Sequence, residues 1–484
     1  LCFGAGLEDV VISIPRSELR DSYDAIVVGS GVGGLVCAGF VARAGKRVLV
    51  LDHHYLPGGY CTAFPRKQYL FDAAVHHIGA CGRFGIVGRI LSRFKIDLEF
   101  VPLDPMDHLI FPDSEFRIPA GIEQYADALE RRFPEEKHRI PEFFRDLVRL
   151  YRQILRREGA LLDRYRGATF GQLLADYFED PKLRRILGAQ WGYLGSPVEA
   201  ISAVGMCQML VSYLRDGAYY PRGSTQAFSD ALAQSILEAG GHVLLKTRVE
   251  EIVVDRGRAA GVRVDGGRTI RAGIVVSNVD ARQLFCDLVP AGACDLERSR
   301  IQTLRAAPSY YGLYLALAAD VDLSELPRGF YYLPQDDEGP IDWIYLSVTT
   351  RYDASLAPSG KQIVSTTVGV RSSSSEFLDW QDDKQAMARS VLTYLDSRVP
   401  GLERGVEFLE TASPRTLARY TLAKDGAAYG WAVVPDQSGD ARLPSETSLP
   451  GLCLTGQWTT PGPGVAAVAA SGWSAANHVL GAKQ

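Results

Sequence analysis

The stretch DAIVVGSGVGG (24–34) constrains this chain more than any other. A short β-forming run, Asp24 to Val28, leads straight into Gly29-Ser-Gly31-Val-Gly33-Gly34. LVCAGFVARAG (35–45) follows as an apolar helix, and KRVLVLD (46–52) as a second buried strand ending on an acid. This is a strand–turn–helix–strand unit of about 30 residues, the pattern that cradles a dinucleotide. Gly29 makes the tight turn, Gly31 lets a pyrophosphate touch bare backbone, with Gly33 in the same cradle, and Gly34 lets the helix pack on the strand. The helix N-terminus offers free N–H groups and a favourable dipole to the phosphates. Asp52 is placed to accept hydrogen bonds from an adenosine ribose, with His53 bordering it.

At 484 residues the chain exceeds what one hydrophobic core usually covers, so two domains are expected. A net charge of −5 argues against a nucleic-acid partner. The eight cysteines include no CxxC pair and no metal-type spacing, which points to a reducing, cytoplasmic setting without a zinc site or disulfide framework. Residues 1–24 carry neither the basic start nor the apolar core of a signal peptide. No apolar run reaches the roughly 18 residues needed to span a bilayer.

A second glycine pair, Gly58-Gly59, follows Asp52 within HHYLPGGYCTAF, with Tyr60 next in line. Near the other end, GLCLTGQ (451–457) reads as a strand ending on Gly456-Gln457. Then Pro461-Gly462-Pro-Gly464-Val465 opens an Ala- and Val-rich helix. An uncapped helix N-terminus of this kind suits a redox ring that gains negative charge on reduction. An acid followed by Gly-Gly, with this C-terminal element, resembles the FAD-binding signature of the flavoprotein amine oxidase and phytoene desaturase superfamily. The resemblance implies that both glycine turns grip one FAD. It also implies that Val249, in TRVEEI, backs the adenine, and that VVSN (275–278) returns the chain to the nucleotide sheet. GGYCTAFPRKQYLFDAAVHHIGACG (58–82), YYPRGSTQAFSDAL (219–232), APSGKQIVSTTVGV (357–370) and SPRTLARYTLAKDGAAYGW (413–431) are similar to the phytoene desaturase, carotenoid isomerase and retinol saturase group, from about residue 22 onward. Two departures stand out: Asp52 where the group usually has Glu, and Ala74 where it often has Gly.

The expected fold is therefore α/β: a Rossmann-like FAD-binding domain of the glutathione-reductase type with an inserted α+β substrate domain. The FAD domain is assigned to 22–88, 215–295 and 445–484, and the substrate-binding cap to 89–214, read as helical, and 296–444, read as strand-rich. Aromatic residues concentrate in the cap, as the wall of a pocket for a long apolar molecule requires. FFRDLVRLYRQILRREGALLDRYR (143–166) reads as one basic amphipathic helix, either a solvated face or a surface for an anionic membrane. His76 and His77 follow FDAAV, read as a strand that sends them to opposite faces. Either could donate a proton or a hydrogen bond to substrate. Tyr429 is a pocket-lining candidate by resemblance.

The implied activity is an FAD-dependent oxidoreductase that desaturates, saturates or isomerises carbon–carbon double bonds of a polyene or isoprenoid-like apolar substrate, by hydride transfer with flavin N5. External NAD(P)H, a quinone or O2 remain open as redox partner, and so does peripheral membrane contact. The alternatives are a flavin amine oxidase and a non-catalytic isoprenoid-binding protein of the same fold.

Overall fold

The computed structural model describes residues 12–333, 341–370 and 384–481. Residues 1–11 of the N-terminal stretch read above, Cys2 among them, lie outside these. Strand β1 (Ser22–Val28), helix α1 (Val32–Arg43) and strand β2 (Val48–Leu51) form where the glycine pattern predicts them. The two strands pair in parallel, Ile26 opposite Leu49. His242–Leu244 adds in parallel outside β2, and on the other side of β1 come Thr269–Ser277 and Leu452–Leu454, also parallel. Most residues of these strands are buried, and their carboxyl-terminal ends completely so, as a sheet covered on both faces demands. An antiparallel meander, Val249–Asp255 and Arg258–Val264, continues the sheet from Thr269–Ser277.

One face of this sheet is covered by α1, the helix Thr225–Glu238 and the C-terminal helix Val465–Val479, in a shared apolar cluster. On the other face Trp431, Leu443 and Trp458 join the strand residues. Ala423, Ala427, Trp431 and Leu443, assigned from sequence to the cap, thus pack into the core of the nucleotide sheet.

A second sheet runs in the order Val406–Ala412, Tyr311–Leu317, Gln362–Val370, Ile341–Ser347, Gly329–Tyr332, Asp107–Ile110, Glu115–Ile118. Its last two strands come from the region read as helical. Short, alternating runs such as EFRI lack the length and period of a helix, and they pair as a hairpin. The period of two divides this sheet chemically. Leu313, Leu315, Ile344 and Leu346 pack on one side in a cluster with the helix Lys384–Arg398, while Tyr314, Ala316, Phe330, Trp343 and Tyr345 belong to the opposite side.

The basic helix read across 143–166 is two helices, Arg139–Arg156 and Ala160–Tyr165. Arg157 turns left-handed (φ 60°) and Gly159 adopts φ 132°, so the chain cannot continue helically. The Gln153 side chain then caps the second helix, its Oε1 accepting from the N–H groups of Leu161 and Leu162 at 2.9 and 3.0 Å.

Candidate active site

Parallel strands deliver their carboxyl ends to one edge of a sheet, the usual place for a ligand in this architecture. Here Gly29, Asp52, Thr247, Asn278 and Gly456, each just past the end of one of the five parallel strands, all line a single chamber of about 1170 Å³. That exceeds the roughly 300–1,000 Å³ of a site for one drug-sized ligand.

The two glycine turns meet at this edge. A Cβ on Gly33 would lie 3.0 Å from the Gly456 Cα, and one on Gly34 only 2.2 Å from the Gly29 carbonyl oxygen. Asn278 fills the junction, its Nδ2 donating to the Gly29 carbonyl at 3.4 Å. The second glycine pair is stitched on as well: the Gly58 N–H donates to the Ser30 carbonyl at 2.8 Å. The C-terminal helix begins at Gly464 (φ 103°) with no side chain capping it, and Gly464, Val465 and Ala466 face the chamber. Deeper in that helix a Cβ on Gly472 would come within 2.3 Å of the Gly33 carbonyl. With a rise of about 1.5 Å per residue, the starts of the two helices are on the order of 10 Å apart, within reach of one extended dinucleotide.

A profile of the family described as flavin containing amine oxidoreductase matches residues 32–480. The chain belongs to this family. It is an FAD-dependent oxidoreductase, and the converging backbone cradle suits that cofactor. Prolycopene isomerase from Arabidopsis thaliana is 28% identical, over 97% of this chain and 85% of that protein. All-trans-retinol 13,14-reductase from Rattus norvegicus is 27% identical, over 91% and 83%. An oxidoreductase structure from Methanosarcina mazei superposes with a TM-score of 0.69 at 19% identity, over 93% of this chain and 99% of that one, which supports the fold.

Within the flavin-containing oxidoreductase, most residues singled out from sequence lie on the chamber wall: Gly29, Gly31, Gly33, Asp52, His53, Gly58, Gly59, Tyr60, Val249, Gly456, Gln457, Gly464 and Val465, with His76, His77 and Tyr429. Gly34 and Gly462 do not. Gly34 sits in the helix–strand contact, and Gly462 packs against the Arg442 guanidinium. Asp52 already serves its own chain, accepting from the Ser30 N–H at 2.7 Å, the Ser30 hydroxyl at 2.6 Å and the His54 N–H at 2.9 Å. Burial opposes its charge, but hydrogen bonds from His53, Ser30 and His54 hold its carboxyl below the usual value. It therefore stays ionised and fastens the glycine turn to β2.

His76 and His77 are not on a strand. The strand ends at Asp72, whose buried carboxylate accepts from the Tyr220 hydroxyl and from the Thr225 N–H and hydroxyl, all at 2.7–2.8 Å. This anchor stops the alternation, so the two rings are not on opposite faces. Both pack against Tyr345, with centroids 5.7 and 5.9 Å from its ring. His76 Nε2 contacts the Thr367 hydroxyl at 3.1 Å. Tyr429 belongs to a separate group with Tyr60 and Tyr310, and donates to the Gly192 carbonyl at 3.0 Å. Burial holds its hydroxyl proton tightly.

Burial, reinforced by the Arg328 guanidinium, lowers His76 to about 4 and His77 well below the ordinary imidazole value. Both rings are neutral near pH 7, so neither is a cationic proton donor; each offers a hydrogen bond instead. The unfolded chain takes up these protons near pH 6.5 and the folded chain resists them. Stability is therefore expected to fall as pH drops from about 6.5 towards 4, by about 2 kcal/mol for His76 alone near pH 4.5. Denaturant unfolding at neutral pH and at about pH 4.5 checks this. The loss on acidification should shrink in His76→Gln, and an equal loss in both proteins would show that the native ring titrates freely.

Several site residues escape sequence reasoning. Ser30 and Asn278 lie inside recognised motifs, but only the folded chain shows what they join. Arg442, 2% exposed, donates to the carbonyls of Trp431, Gln457 and Thr459 at 3.3, 2.7 and 3.1 Å and thereby holds the second glycine turn. Desolvation lowers its guanidinium to about 10. Thiol chemistry finds no support at Cys61, which burial pushes up to about 12. Among the described residues no cluster of potential metal ligands occurs.

Proposed function

We propose that this oxidoreductase reduces or isomerises a carbon–carbon double bond of an apolar, isoprenoid-like polyene. The observation that carries this reading is the continuity of one chamber. It runs from the glycine cradle to an inner wall of Tyr193, Tyr213, Phe330, Trp343 and Tyr345. Gly29, Gly31, Gly33, Gly58 and Gly59 would hold the FAD pyrophosphate, with Asp52 and Val249 at the adenosine and the N-terminus of the C-terminal helix at the redox ring. Bound FAD supplies the hydride exchange with a substrate carbon. The protein's part is to align the double bond, exclude water and present neutral hydrogen-bonding side chains. Prolycopene isomerase and all-trans-retinol 13,14-reductase are both named for chemistry on conjugated chains, which supports the polyene class. An ammonium substrate finds less support, because Arg328 behind the histidines opposes a second cation there.

The substrate enters from a membrane surface in this reading. Phe84, 80% exposed, and Leu155, 63% exposed, stand on the chamber lining and mark an opening. On the helix that carries Leu155, Arg145, Arg149, Arg152 and Arg156 are exposed as well. Exposed apolar side chains beside a basic helix face suit an anionic lipid surface. No described helix is long and apolar enough to cross a membrane. The test is anaerobic. FAD-loaded protein is mixed with NADPH, then with a polyene carried in detergent, in zwitterionic vesicles or in anionic vesicles. Loss of the flavin absorbance near ~450 nm with NADPH, followed by recovery on adding polyene, marks a reductase; a rearranged polyene with no net redox change marks an isomerase. Turnover from anionic vesicles should exceed that from zwitterionic ones, and Phe84→Ser should slow delivery from vesicles but not from detergent. A protein that stays colourless with FAD, or leaves every polyene unchanged, overturns the proposal.

A further inference from the structure

Behind His77 lies a buried polar relay that the cofactor cradle does not need. Arg328, 6% exposed, pairs with Asp107, 1% exposed, at 3.1 Å, and its Nη1 also donates to the Tyr345 hydroxyl at 2.6 Å. Asp107 is further occupied by the Tyr193 hydroxyl at 2.7 and 2.8 Å and by the Gln190 amide. A guanidinium carries only donors, so the Tyr345 oxygen accepts from Arg328 and directs its own hydrogen elsewhere. Tyr193 commits its hydrogen to Asp107. The Tyr193 oxygen and His77 Nδ1, the latter 3.1 Å away, are both within hydrogen-bonding reach of the Tyr345 hydroxyl. With Tyr345 donating to Nδ1, the single proton of this neutral ring sits on Nε2.

His77 lines the chamber, and no described group pairs with its Nε2. A pure hydrocarbon lying here would leave His77 Nε2 unpaired, a cost that an oxygen on the ligand removes.

The geometry points to His77 Nε2–H as a fixed hydrogen-bond donor to an oxygen on the substrate, so that the chamber takes an oxygenated isoprenoid polyene rather than a hydrocarbon. Tyr345, Arg328 and Asp107 are positioning residues that hold the tautomer. This assignment rests on the reading of the chamber as a polyene site and narrows it.

The test uses FAD-loaded protein and a matched pair of ligands: a polyene alcohol and the same polyene with a methyl group in place of the hydroxymethyl. Binding is followed by quenching of tryptophan fluorescence, to which Trp343 on the chamber wall contributes. The wild type is expected to bind the alcohol at least ~10-fold tighter. His77→Phe should reduce that preference to within about 2-fold, with the hydrocarbon binding tighter than to the wild type once the unpaired donor is gone. Tyr345→Phe, which frees the tautomer, should weaken alcohol binding about 3- to 10-fold and spare the hydrocarbon; a merely structural role would move both ligands together. Equal binding of the pair by the wild type, or a preference that survives in both variants, overturns the assignment and leaves the polyene reading intact. Failure to bind either ligand while FAD is held overturns the polyene reading itself, and this assignment with it.

Discussion

Gly472→Val is expected to yield a protein that no longer retains flavin, although residue 472 lies outside both glycine turns. A Cβ at this position would sit 2.3 Å from the Gly33 carbonyl oxygen and 3.0 Å from the Val36 Cβ, so α1 and the C-terminal helix must separate to admit it. Overpacking of this kind costs about 1–3 kcal/mol in stability. The larger effect falls on the cradle, because the shift moves the first glycine turn relative to the second and to Asn278. Binding sites tolerate only about 0.5 Å of such error. FAD affinity should fall by about 100-fold, or about 2.7 kcal/mol. Titration of apoprotein with FAD, followed by absorbance, measures it directly. A variant that is yellow, with wild-type affinity, would mean that this contact does not set the distance between the turns.

The second large effect is expected at the buried ion pair. Asp107→Ala leaves the Arg328 guanidinium uncompensated in a site where both side chains are almost fully covered. Removing one partner of a buried pair typically costs about 3–5 kcal/mol. The same substitution strips the Tyr193 hydroxyl and the Gln190 amide of their acceptor. Adding Arg328→Met removes the stranded charge, and the double variant should recover at least ~2 kcal/mol of that loss. Urea unfolding of the four proteins in the cycle gives both numbers. If Asp107→Ala unfolds within about 1 kcal/mol of the wild type, water or a shifted neighbour must be compensating the charge.

Much of this is legible in one dimension because local patterns carry it. The strand–turn–helix–strand unit closes within β1, α1 and β2, so glycine spacing and Asp52 suffice to place it. The uncapped start of the C-terminal helix is equally local. The failures have specific causes. The two-residue alternation placed His76 and His77 on opposite faces, but Asp72 ends the strand before the alternation reaches them. A run of arginines at helical spacing hid the break at Arg157–Gly159, where the backbone and not the side-chain pattern decides. The hairpin at 107–118 was hidden by the helices around it, since a short strand declares itself mainly through the partner it pairs with.

By itself, then, the amino-acid order determined the dinucleotide cradle, the flavin and the superfamily, because each is carried by short motifs that can be read one at a time. Tertiary structure alone decided what stands behind the cradle. Asn278 reaches Gly29 across 249 positions, and Arg328 reaches Asp107 across 221. The second of these contacts pairs the guanidinium that also donates to the Tyr345 hydroxyl beside His77. A contact across such a distance leaves no periodic trace in the sequence; it exists only once strands far apart in the chain have paired as neighbours within each sheet.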